Sequence, residues 1–262
     1  MLRSESIMKG SPRSRRLADC LLQLAILAAF CSRALADVYE PDVDKVVTLF
    51  EKDDNLGNST TIYWHQAQLD EDWASVNQKG IWIYYSEANY KGDNVTVVFG
   101  EDLSINIRHQ LRSVRYVGNN RFNTLPAVVL YSEPWFRGTE YVVEVGDEDD
   151  LVLIPNFRDM GTSAQSLVIV GADWTFFPKQ NFGGSRCLCL RPTFFTMTED
   201  DDGEDVMLKA SFYPELSEVG PVGSVMMSCK TPMRHLCQKL PEETVRRSRC
   251  PVLSNTEPNM CQ

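Results

Sequence analysis

The chain has 262 residues, 43% of them hydrophobic, with 26 basic and 36 acidic side chains and a net charge of −10. That is enough apolar content for one or two packed domains. The acidic balance lacks the basic footprint a nucleic-acid binder needs, and it disfavours docking on anionic lipid.

Residues 1–36 read as a secretory signal. Arg13, Arg15 and Arg16 form a basic start, Cys20 to Cys31 is a mostly apolar core, and Ala34-Leu35-Ala36 offers small residues for cleavage. The apolar run is far short of the roughly 20 residues a membrane helix needs, and no later stretch approaches it. Removing 1–36 leaves 20 basic and 34 acidic residues, a formal charge of −14. It also leaves six cysteines: Cys187, Cys189, Cys229, Cys237, Cys250 and Cys261. An even count in a secreted chain suggests disulfides, with 15 connectivities open. Zinc is the weaker reading, because Cys187-x-Cys189 lacks the usual ligand gap and His235 stands in no paired pattern.

Short runs of strand-favouring residues follow a polar lead-in at 37–43. They are VVTLF after Lys45, then Thr60 to Trp64, Ile81 to Tyr85, Val95 to Phe99 and Ser113 to Val117. Ala127 to Tyr131, Glu140 to Val145 and Ser166 to Val170 continue the series, separated by Gly, Asn, Asp and Pro clusters. Such a pattern predicts an all-β sandwich or barrel.

One frame recurs along this series: an aromatic, six residues, then a glycine. It stands at Phe50 to Gly57, Tyr85 to Gly92, Tyr131 to Gly138 and Phe177 to Gly184, and the last three carry a second aromatic (Tyr90, Phe136, Phe182). A period of 35 to 46 residues marks a repeated architecture. The glycine supplies the positive φ a tight hairpin needs, and the aromatics can cover the hairpin's core side. Each copy is followed by a serine beside a strand, Ser75, Ser113, Ser166 and Ser224, whose hydroxyl can satisfy hairpin backbone groups.

The aromatic, the glycine and the later serine together resemble the Greek-key motif of the βγ-crystallins. The resemblance covers about residues 44–228. It implies two β-sandwich domains, 44–118 (motifs one and two) and 127–228 (motifs three and four), joined at Gly118 to Pro126. Motif one is imperfect, with Asn55 where an aromatic is expected. A β-trefoil is the alternative fold, which four copies and the recurrent glycine count against. Residues 229–262, with four cysteines and little apolar periodicity, read as a disulfide-pinned tail anchored through Cys187 or Cys189, both on one strand face. Within it Arg246 to Arg249 (RRSR) offers proteases a basic site.

The resemblance also implies a calcium site built from paired Asn or Asp residues and a hydroxyl before each motif serine. Here the six residues ending at Ser113 are RHQLRS, those ending at Ser166 are GTSAQS, and those ending at Ser224 are VGPVGS. Oxygen ligands suited to a hard cation are largely missing. Motif one keeps Asp70 and Glu71 as weak metal candidates but has Ala74 in place of the hydroxyl. The acidic runs Asp147 to Asp150 and Glu199 to Asp205 read as solvated loops. The second fails as an EF-hand because Lys209 falls where a bidentate glutamate is needed.

His65 and His109 lie in no nucleophile or metal motif, and no hydrolase, phosphate-loop or zinc-protease signature occurs. No catalytic residue and no cofactor is therefore assigned. Asn58 and Asn94 head glycosylation sequons at equivalent turns. Trp82, Trp135 and Trp174 are candidates for sugar stacking, although tryptophans at strand starts usually belong to the core. The reading is a secreted, non-enzymatic structural or binding protein of an extracellular barrier, matrix or defence secretion, with an unidentified extracellular protein or polymer as partner. A protease inhibitor or toxin-like effector, or a calcium- or carbohydrate-binding module, is the alternative.

Overall fold

Strands account for nearly all the regular structure in the computed structural model. It describes residues 45–146, 152–157, 164–184, 187–199, 205–216 and 222–229, and the short strands 237–239 and 252–253. The signal, the run 147–150 and most of the tail lie outside them. In chain order the first strands are β1 (Val46–Lys52), β2 (Leu56–Ile62), β3 (Ser75–Glu87), β4 (Lys91–Asn106) and β5 (Ser113–Tyr116). Then come β6 (Ala127–Glu133), β7 (Arg137–Glu144), β8 (Leu153–Ile154), β9 (Ser166–Val170), β10 (Trp174–Phe177) and β11 (Cys187–Leu190). The last are β12 (Phe194–Glu199), β13 (Asp205–Tyr213), β14 (Ser224–Met227), β15 (Cys237–Lys239) and β16 (Val252–Leu253). A three-residue 3-10 turn, Asp53–Asn55, is the only helical element among the described residues.

β1 lies antiparallel between β2 and the start of β3. β3 continues past Gly80 to pair with β5, and β4 follows β3 along most of its length. Gly80 and Gly100 face each other in that ladder, with φ of +95° and +139°. Glycine reaches such angles without a Cβ clash, and the long pair folds over there. Val47, Leu49 and Val76 from before the fold share one buried cluster with Trp82, Tyr84, Val98, Val114 and Tyr116 from beyond it.

The later strands form two further sheets. One has the order β12-β13-β9-β6-β7, the other β15-β11-β10-β14-β8. Side chains alternate along a strand, and the first of these sheets uses both faces. Val128, Leu130, Leu167 and Ile169 point into a cluster with Trp174, Phe176 and Val225 of the second sheet. Val129, Tyr131, Val168 and Val170 point the other way, against Ile81, Ile83, Tyr85, Val97 and Phe99 of the first half of the chain. This explains why AVVLY and SLVIV read as unbroken apolar runs, since strands buried on both faces need no polar alternation. A third core therefore joins the first half of the chain to the second.

The four hairpins share one geometry. Paired residues take positive φ at Asp54-Asn55, Asn89-Tyr90, Trp135-Phe136 and Asn181-Phe182, followed by Gly57, Gly92, Gly138 and Gly184, also positive. An aromatic residue in this region is strained by about 1–3 kcal/mol. The motif serine holds it there. Ser166 Oγ accepts the Phe136 N–H at 2.9 Å and donates to the Glu133 carbonyl at 2.6 Å. Ser113 does the same with Tyr90 and Glu87, and Ser224 with Phe182 and Lys179. Ser75 does so with Asn55 and Lys52, so the imperfect first motif keeps the lock without its aromatic. All four serines are fully buried. In motifs two to four the frame's two aromatics meet edge to face: Tyr85–Tyr90 at 5.8 Å, Tyr131–Phe136 at 5.7 Å and Phe177–Phe182 at 5.5 Å. A Cβ at Gly138 would sit 2.3 Å from Ser132 Oγ, so φ and space both require glycine there.

Ser166→Ala leaves a buried N–H and a buried carbonyl without partners, so it should cost about 2–4 kcal/mol of unfolding free energy. The exposed Ser59→Ala should stay within about 0.5 kcal/mol. Equilibrium urea unfolding of the two variants checks this, and a loss below about 1 kcal/mol at Ser166 would show that the hydroxyl does not hold the corner.

Candidate functional site

β5 carries Val114 and Tyr116 into the first core, so alternation turns Arg115 to the opposite face, towards the β6–β7 hairpin. There its guanidinium donates to the Phe136 carbonyl at 3.1 Å and the Gly138 carbonyl at 2.8 Å. Tyr85 O–H donates to the same Phe136 carbonyl at 2.6 Å. The guanidinium carbon lies 3.8 Å from the Tyr90 ring centroid, 5.5 Å from that of Tyr131 and 5.9 Å from that of Tyr85. Three tyrosines from two motifs thus surround one buried cation, an arrangement favoured by the ring quadrupoles. In return Arg137 donates to the Gly92 carbonyl at 3.3 Å.

Glu140 stands across from Tyr131 in the β6–β7 register, with Oε2 3.8 Å from Arg115 Nε. His65 approaches its other oxygen at 3.6 Å. The Tyr116 backbone N–H donates to His65 Nδ1 at 3.1 Å, which leaves the proton of the neutral ring on Nε2, facing the carboxyl. Burial pushes the Glu140 carboxyl up to about 7, against the pull of Arg115. Burial also pushes His65 down to about 4, and repulsion from Arg115 adds to this. Tyr131 O–H and Glu140 Oε2 are both buried and act on one another, the hydroxyl opposing the rise of the carboxyl. The cluster is a polar junction inside an apolar interface, where loss of any one partner is costly.

The metal candidates lie elsewhere. Asp70 and Glu71 are exposed on the loop between β2 and β3, and Gln68 donates to Asp70 at 2.9 Å. Arg112 occupies the neighbourhood: its guanidinium pairs with Asp72 at 2.6 Å and donates to the Glu71 carbonyl at 3.2 Å, while Gln110 donates to Asp72 at 2.8 Å. Arg112 thus engages Asp72 and the Glu71 backbone carbonyl, beside the two candidate carboxylates. No cluster of three or more His, Cys, Asp or Glu arranged for a metal occurs among the described residues.

β11 directs Leu188 and Leu190 into the core and places Cys187 and Cys189 on its outer face. Cys189 is bridged to Cys229, with Cα atoms 5.5 Å apart, so the start of the tail is tied to the sheet through this strand. Cys187 is also disulfide-bonded, and β15 runs parallel to β11 with Cys237 in register opposite Cys187. Cys250 and Cys261, like RRSR at 246–249, lie outside the described residues. Asn58 and Asn94 are exposed at the ends of the first two hairpins. Trp82 and Trp174 are fully buried, which removes them from sugar stacking; Trp135 is partly buried against the core shared by the two halves.

Sequence reasoning did not find Arg115 or Glu140. One signal was available: SVRYV places an arginine inside a strand whose neighbours are all apolar or motif residues, and a charge in such a position needs partners.

No family model matches this sequence, and no curated protein matches it. Its structure is similar to that of geodin, a βγ-crystallin from Geodia cydonium, at 19% identity with a TM-score of 0.47, covering 70% of this chain and 98% of that one. It is also similar to the solution structure of Protein S complexed with calcium, at 15% identity with a TM-score of 0.24, covering 70% of this chain and 99% of that one.

The Glu140 carboxyl has a folded-state pKa above its unfolded value of 4.5, so its contribution is fully present below pH 4.5 and is lost as pH rises through 7. His65 acts oppositely: its folded pKa lies below 6.5, so stability is lost as pH falls from 6.5 through 4. The two slopes oppose one another between pH 4.5 and 6.5. Glu140→Gln removes only the first, so the stability of this variant relative to the native chain should improve by about 3 kcal/mol between pH 5 and pH 8. Urea titrations at both pH values measure the difference, and a gap independent of pH would show that Glu140 titrates as an ordinary surface carboxyl.

Proposed function

We propose that this chain is a secreted, non-enzymatic structural or binding module of an extracellular barrier, matrix or defence secretion, built on a βγ-crystallin-type Greek-key fold. The observation that carries this reading is the use made of Arg115, Glu140 and His65. The groups best suited to acid–base chemistry are sequestered in the junction between the halves, where they hold backbone and aromatic rings. Serine-locked hairpins, three apolar cores and a disulfide on the last sheet suit a molecule that must persist outside the cell. In this reading 44–118 and 127–228 act as two fused domains, the signal is removed after Ala36, and Asn58 and Asn94 carry glycans at their exposed turns.

Expression through a secretory pathway tests the reading. Protein recovered from the medium should begin at Asp37 and lose mass on enzymatic deglycosylation, with that mass loss abolished in Asn58→Gln/Asn94→Gln. Used as bait in the secretion it comes from, it should recover itself or matrix polymers. Retention inside the cell would overturn the extracellular assignment, and recovery of a single protease would move the function to inhibition.

A further inference from the structure

Motif four is longer than the others. From hairpin glycine to motif serine the spans are 18, 21 and 28 residues in motifs one to three and 40 in motif four. The excess includes β12, which pairs antiparallel with β13 from Phe194↔Ala210 to Glu199↔Asp205. β13 reaches β9 only through Ala210 to Tyr213, so among the described residues the stretch from Asp205 to Lys209 has β12 as its one ladder partner. β12 is the end strand of its sheet. The inner face of this hairpin is firmly seated: Leu208 and Ala210 belong to the core shared by the halves, and Phe194 packs on Phe212 with ring centroids 5.7 Å apart.

The outer face has an order of its own. Alternation turns Phe195 and Met197 of β12, and Asp205, Met207 and Lys209 of β13, away from the core, and all five are exposed. The register sets them in rows. Phe195 stands opposite Lys209, Met197 opposite Met207, and Glu199 opposite Asp205. A cation beside an aromatic, then two methionines, then two acids follow one another along the hairpin. Phe195, Met197 and Met207 are 58%, 53% and 48% exposed, which makes three of the seven large exposed hydrophobics among the described residues neighbours in one patch.

Such an order of rows is complementary to its own reversal. A second copy can be turned end for end and set edge to edge with the first, Met197 opposite Met197. The methionines of both copies then form one central row. On either side of it, the Lys209–Phe195 row of one copy comes level with the Glu199–Asp205 row of the other. Pairing the same edges in parallel would turn one copy over, so that its methionines lay on the opposite side of the sheet. A slip by one residue would do the same. The pattern of charge and apolar side chains thus selects both partner and direction. We propose that β12 is a self-association edge, through which two copies of this chain pair antiparallel and join their hairpins into one outer face centred on Met197 and Met207. An edge strand supplies the unpaired backbone groups for the added ladder. Methionine's flexible thioether suits a contact between identical side chains. The pairing is isologous and closes as a dimer. The net charge of −10 opposes approach at long range, and physiological salt screens it. The inference rests only on the hairpin, so its failure would leave the extracellular reading standing.

The test follows the full chain by sedimentation equilibrium and backbone amide exchange over a range of concentrations, in about 0.15 M salt. The native chain should show a reversible monomer–dimer equilibrium, with exchange in β12 slowing as dimer forms. Met197→Ser/Met207→Ser, which alters no core residue, should weaken dimerisation about tenfold or more, with circular dichroism and melting temperature of the dilute monomer unchanged. Lys209→Glu should weaken it as well, because the flanking rows then bring acid against acid. Lys209→Glu/Glu199→Lys/Asp205→Lys, which exchanges the signs of both rows, should restore it. A chain that stays monomeric up to about 1 mM would overturn the proposal. So would a dimer indifferent to the methionine substitutions, a triple variant no better than Lys209→Glu alone, or a series of species growing beyond the dimer.

Discussion

Two successive residues held at positive φ, the second an aromatic in three of four copies, are the constraint on which the whole molecule depends. No local preference of Trp135 and Phe136 or of Asn89 and Tyr90 would keep the backbone there. The restoring element comes from 20 to 42 residues away in sequence, as a buried serine hydroxyl that accepts one hairpin N–H and donates to one hairpin carbonyl. Each corner is therefore formed only when the returning strand is in place. Once formed, it folds the hairpin over so that its two aromatics meet edge to face. Strain, hydrogen bonding and aromatic packing form one cooperative unit in motifs two to four, and motif one repeats the serine lock without the aromatic pair.

The third corner does more than close its own motif. The Phe136 carbonyl, freed by the unusual backbone geometry, accepts hydrogen bonds from Arg115 and Tyr85 in the first half of the chain. Around it Tyr90 stacks on the guanidinium, and Glu140 and His65 complete a buried polar cluster within an otherwise apolar interface. Breaking one partner of such a cluster costs more than the pair itself contributes, because the other is left buried and unpaired. The two halves are thus held in one register by polar groups and held together by Ile81, Ile83, Phe99, Val129, Val168 and Phe212.

Much of this was legible in the sequence because its requirements are local. A hairpin with positive φ calls for glycine at a set position, its cover calls for aromatics, and its lock calls for serine. Phe50 to Gly57 remained readable without its aromatic, and Ser75 makes the same two hydrogen bonds as its counterparts. The junction was less legible because it joins His65, Arg115 and Glu140, three residues scattered over some 75 positions with no fixed spacing. The β12–β13 hairpin was hidden for another reason. The acidic run Glu199 to Asp205 reads as a solvated loop, and it interrupts the alternating FFTMT and VMLKASFY on either side. Thr60 to Trp64 also differed in detail: the strand ends at Ile62, and Tyr63 and Trp64 turn out to the surface as the chain leaves β2.

The account stands or falls on whether the halves are one cooperative structure. Native-state hydrogen exchange measures this directly, by reporting the opening free energy of each protected amide. The slowest amides of the first half, around Val97 and Val114, should share one free energy with those around Val168 and Ile169, and both should equal the global unfolding free energy. Two separate plateaus, with one half opening while the other stays closed, would contradict the claim that Arg115 and the shared core bind the motifs into a single unit.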